Sequence, residues 1–75
     1  LNKNEVKIRK ILNELKKTAP NPINRAELCK NINMMPEEVS YLFRVYPDKF
    51  TFVEVDNDHN SIRYRVNMAF LVRFK

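Results

Sequence analysis

The sequence predicts a small α+β domain of three helices followed by a β-hairpin. Three observations carry that expectation. Apolar residues recur at helical spacing from Ile8 to Ala19. Two short helix signals, the second opening at Pro36, are joined by about four residues, the spacing of a helix-turn-helix pair. After "YPDK" the hydrophobic period changes from helical to alternating.

The first helix opens where Asn2 and Glu5 can form a capping-box-like start, with Asn4 as the alternative cap. Ile8, Ile11, Leu12, Leu15 and Ala19 then fall on one face, and Lys3, Lys7, Arg9, Lys10, Lys16 and Lys17 on the other. Pro20 and Pro22 end the helix, because the residue before a proline is pushed out of the helical region. A short extended segment is expected around Ile23.

Asn24 caps the second helix from three residues before Glu27. That helix is expected from Arg25 to about Asn31, burying Ala26, Leu28, Cys29 and Ile32, and Asn33 takes the left-handed turn that glycine would otherwise supply. The third helix starts at Pro36, with Glu37 and Glu38 in its first turn, where carboxylates meet the positive end of the helix dipole. Val39, Leu42, Phe43 and Tyr46 face inward, Ser40, Tyr41 and Arg44 outward, and Pro47 stops it. "FTFVEV" and "SIRYRV" flank the polar cluster "DNDHN" and read as a hairpin. In its second strand Ile62, Tyr64 and Val66 alternate with Ser61, Arg63 and Arg65. Residues 67–75 either extend that strand or form a short helix.

Seventy-five residues allow one domain. A chain of this length buries only about 60% of its unfolded surface, so its stability rests on one compact core. The chain opens on Leu1 rather than a methionine and ends inside the apolar pattern "AFLVRFK", which reads as a piece of a longer protein. No apolar run approaches a membrane span. A single cysteine, Cys29, and a single histidine, His59, build neither a disulfide nor a closed zinc site, which points to an intracellular setting, nucleus or cytoplasm. No cofactor is implied. Glycine is absent, so no glycine-rich phosphate loop is expected.

Helix, short strand, helix, turn, helix and hairpin resembles the order of a winged helix-turn-helix domain over nearly the whole chain. More narrowly, "VYPDKFTFVEV", the turn, "SIRYRV" and the basic "VRFK" resemble the amino-terminal winged-helix region of the CCCH zinc-finger antiviral and related poly(ADP-ribose) polymerase-like proteins, centred on Pro47, Asp48, Lys49 and Phe50. That resemblance implies RNA binding beside zinc fingers, although this chain carries no CCCH cluster. A weaker likeness runs to the winged helices of the basal transcription factor IIE beta subunit.

Charge is unevenly placed. Residues 1–17 hold six bases against two acids, residues 18–60 four against seven, and residues 61–75 four against none. Clustered positive charge is the footprint of phosphate binding, and it sits on the first helix and the last strand. The expected contacts are Lys7, Lys10, Arg63, Arg65 and Arg73, with Tyr41 available for stacking on a base and Arg44 on the outward side of the third helix. Base reading in the major groove is disfavoured, because that helix offers Glu37, Ser40, Tyr41 and Arg44, and Asp56 and Asp58 stand at the hairpin tip. The alternative is a protein contact through Met34, Met35, Glu37 and Tyr41. His59 reads as a solvated turn residue without nucleophile or orienting partner, and no carboxylate pair has catalytic spacing, so the chain is not expected to be an enzyme.

Overall fold

The computed structural model describes residues 2–58 and 61–69, so the expectations placed on His59, Arg73 and the end of the chain lie outside the described residues. Three α-helices and a three-stranded antiparallel sheet make an α+β fold: α1 (Lys3–Thr18), β1 (Ile23–Asn24), α2 (Arg25–Ile32), α3 (Pro36–Val45), a 3-10 turn (Pro47–Lys49), β2 (Val53–Asp58) and β3 (Ser61–Val66).

The helix starts follow from local chemistry. Asn2 caps α1, its Oδ1 accepting from the Glu5 N–H at 2.8 Å, while Asn4 instead donates to the Tyr46 hydroxyl at 3.0 Å. Asn24 serves as last residue of β1 and cap of α2, accepting from the Glu27 N–H at 2.7 Å. At the other end of α2, Asn33 adopts φ 56° and ψ 50°, and the chain reverses there into α3. The first turn of α3 is closed by Glu38, whose Oε1 accepts from the Met35 N–H at 3.4 Å.

The sheet order is β1-β3-β2, with Ile23 opposite Tyr64 and Val53, Val55 and Asn57 opposite Val66, Tyr64 and Ile62. These pairs form the face turned toward the helices. The hairpin departs from expectation in its first strand, which begins at Val53 rather than Phe50 and runs through Asp58. Phe50, Thr51 and Phe52 turn instead, with the Val53 N–H donating to the Phe50 carbonyl at 3.0 Å. This bend puts the Phe50 ring in the core, where it stacks on Phe43 at 4.0 Å, and Phe43 in turn stacks on Tyr64 at 4.7 Å. The polar cluster thus contributes Asp56 to Asp58 to the strand. After β3, the Asn67 N–H donates to the Phe52 carbonyl at 2.8 Å and the backbone turns helical at Met68 and Ala69.

Ile11, Leu15, Leu28, Val39, Leu42 and Val66 are fully buried where the three helices meet the sheet. Each such side chain contributes about 1.5–3 kcal/mol by leaving water. Cys29 is buried as expected. One burial expectation fails, and one residue named for the alternative protein contact is buried. Ala26 is exposed, because two residues turn a helix about 200° and set it away from Leu28. Met34 is buried at 8% exposure, since the left-handed turn at Asn33 directs the chain back over α2 and the Met34 N–H closes onto the Cys29 carbonyl. Met34 therefore fills the junction between α2 and α3 and offers no contact surface.

Candidate nucleic-acid interface

The two basic surfaces expected from the sequence, on α1 and β3, have different electrostatics. On β3, Arg63 and Arg65 project from the sheet face turned away from the helices, because Tyr64 and Val66 take the inner side. The register sets Glu54 beside Arg65 and Asp56 beside Arg63. The Arg63 Nη2 donates to Asp56 Oδ2 at 2.9 Å, and Arg65 donates to Glu54 Oε1 through both Nε, at 3.1 Å, and Nη2. Read along the chain, β3 is a run of bases without acids. Folded, each of these two arginines lies against a carboxylate of β2, so this face offers a phosphate far less net charge than the sequence implies.

On α1, Lys7 is half-buried and donates to Glu38 Oε2 of α3. That hydrogen bond first, and the Met35 N–H second, hold the Glu38 carboxyl below its ordinary pKa. Lys17 stands 3.6 Å from Glu14, which also accepts from the Asn31 amide at 3.1 Å. Lys3, Arg9, Lys10 and Lys16 are exposed and, among the described residues, make no ion pair. Lys10 lines a groove between α1 and α2 together with Asn13, Glu14, Lys17, Asn31, Ile32 and Asn33. The spacing already places Lys3, Lys10 and Lys17 on one side of α1, whereas Asn31 of α2 and Asn33 just after it reach that side only through the packing of the two helices.

The outward face of α3 is mixed. Tyr41 is 45% exposed, and the Arg44 guanidinium lies 5.8 Å from its ring centre. Glu37 is exposed one turn earlier. Ser40 is not simply outward: it accepts from Arg25 Nη1 of α2 at 2.8 Å. Met35, just before α3, and Val45, at its end, are also exposed apolar residues, at 59% and 44%. Met35, unlike Met34, keeps the exposure required of a contact residue.

The residues singled out from the sequence are thus not brought into one site. Lys7 and Lys10 belong to the helical layer, Tyr41 and Arg44 to the outer side of α3, and Arg63 and Arg65 to the far face of the sheet. Among the described residues no group of three His, Cys, Asp or Glu side chains could hold a metal ion. No helix among them is long and apolar enough to cross a membrane. No protein-family model, curated protein or solved structure matches this chain.

Proposed function

We propose that this chain is a non-catalytic winged-helix module that holds nucleic acid by its phosphates, through the exposed side of α1, with little preference for sequence. The winged-helix reading is supported by the element order and by the pairing of β1 with β3 beside a carboxy-terminal hairpin. The observation that carries the functional reading is the inequality between the two basic surfaces. Arg63 and Arg65 are matched by acids, whereas Lys3, Arg9, Lys10 and Lys16 are exposed without an ion pair among the described residues. A third helix presenting Glu37, Tyr41 and Arg44 lacks the donor pattern that reads bases in a major groove. Affinity on this reading comes from counterion release and falls steeply with salt.

Fluorescence anisotropy with single-stranded RNA and with duplex DNA, at low and at physiological salt, tests this. Replacing Lys3, Arg9, Lys10 and Lys16 together by glutamine should lower affinity more than about tenfold and flatten the salt dependence by up to about 0.9 in log–log slope per lost phosphate contact on duplex DNA. Arg63→Gln with Arg65→Gln should change affinity much less. Absence of binding at low salt would sink the proposal. A second reading, a protein contact, is favoured by the exposed Tyr41 and Val45 on α3 and Met35 just before it; binding to a partner lost on Tyr41→Ser, with little salt dependence, would mark it.

A further inference from the structure

β2 forms one edge of the sheet. In an antiparallel ladder, successive residues turn their backbone groups alternately toward the partner strand and away from it. The Phe52 carbonyl accepts from the Asn67 N–H at 2.8 Å, on the β3 side. By the same period, Glu54 and Asp56 turn their backbone groups toward β3, and Val53, Val55 and Asn57 turn theirs to the outer edge. The Val53 N–H is taken by the Phe50 carbonyl. The backbone groups of Val55 and Asn57 have no strand to pair with among the described residues.

The side chains along this edge are equally specific. Val55 is 56% exposed although it belongs to the apolar face, opposite the buried Tyr64. Glu54 and Asp56 flank it on the outer face, half-exposed or more while they accept from Arg65 and Arg63. Across that face the rows therefore read basic on β3 and acidic on β2.

We propose that the outer edge of β2 is a docking site for an extended peptide segment in which basic and apolar residues alternate. Such a strand adds main-chain hydrogen bonds at Val55 and Asn57, lays an apolar side chain against Val55 and sets its cations on the open side of Glu54 and Asp56, where the attraction is weaker than for free carboxylates because Arg65 and Arg63 already pair with them. The same acids disfavour a second copy of this chain at the edge. Pairing β2 with β2 would set carboxylates against carboxylates, and like charges directly opposite destabilise a sheet. This inference is independent of the α1 phosphate surface.

The probe is a fluorescein-labelled peptide Lys-Val-Arg-Val-Lys-Val, capped at both ends. Its control has the same composition with all basic residues preceding all valines. The alternating peptide should bind at least about tenfold more tightly than the control and slow amide exchange at Val55 and Asn57. Val55→Pro removes the edge N–H without removing a bond to β3 and should lower affinity about tenfold. The pair Glu54→Gln and Asp56→Asn, which keeps shape and backbone, should lower it similarly, and serves if the proline variant does not fold. Equal binding of the two peptides, exchange protection confined to α1 or α3, unchanged binding by the carboxamide variant, or no binding of the alternating peptide would each overturn the proposal.

Discussion

Asn33 shows how one residue type can stand in for glycine. Its φ of 56° lies in the left-handed region, where a side chain with a Cβ is strained unless it is short and polar. Asn33→Ala should cost about 1 kcal/mol in chemical denaturation and Asn33→Gly almost nothing. Glu38 makes a different residue-scale prediction. Its folded carboxyl lies below the ordinary value, chiefly through the hydrogen bond from Lys7. A lowered folded pKa means that the associated stability is present above the unfolded pKa and is lost as pH falls through the folded one. Thermal unfolding followed across acidic pH should therefore show a decline that Lys7→Met reduces. The effect is small, because the carboxylate is solvent-exposed. Carbon-detected NMR titration of Glu38 supplies the direct check.

At the scale of elements, the hairpin is stabilised by side-chain pairs as well as by its ladder. Arg63 with Asp56 and Arg65 with Glu54 face each other across non-identical strands, all at least a third exposed. Exposed pairs of this kind couple by about 0.2–1 kcal/mol. A double-mutant cycle on Arg63→Gln and Asp56→Asn should return a coupling in that range, shrinking at high salt. No measurable coupling at low salt would mean that the two strands hold their register through Tyr64, Val66 and the backbone alone. α1 and α3 are linked by a comparable device, with Asn4 donating to Tyr46 and Lys7 to Glu38.

The whole molecule depends on one core. Leu28 and Leu42 come from different helices, and both are nearly inaccessible to solvent. Leu28→Ala should remove about 2–5 kcal/mol, a large share of what a domain of this size possesses. Loss of cooperative melting by circular dichroism is the expected outcome, and an unchanged midpoint would show that α2 is not integral to the core. At this scale the distribution of charge also differs from its distribution along the chain. Three acids of residues 18–60 are carried to the cations of both ends: Glu38 to Lys7, Glu54 to Arg65, Asp56 to Arg63. What is left outward on α1 is the surface proposed to meet phosphates.

The local chemistry of the chain was legible without coordinates. Asn24 before Glu27 marks a helix start, Asn33 a left-handed turn, Pro36 with Glu37 and Glu38 another start, and the alternation of Ile62, Tyr64 and Val66 a strand with one buried face. Each depends on neighbours within one or two turns, so sequence order and spatial order coincide. Register, burial at junctions and charge pairing do not have that property. Whether Phe50 extends a strand or folds into the core is decided by Phe43 and Tyr64, whether Met34 is surface or core by the packing of α2 against α3, and whether Arg63 and Arg65 are available by which residues of β2 come to lie opposite them. The sequence by itself determined the helices, the hairpin and the basic composition of its ends. Only the tertiary structure decided which of those charges remain outward, because a Coulomb interaction depends on separation in space, and residues far apart in the chain are brought within a few ångströms of one another by the fold.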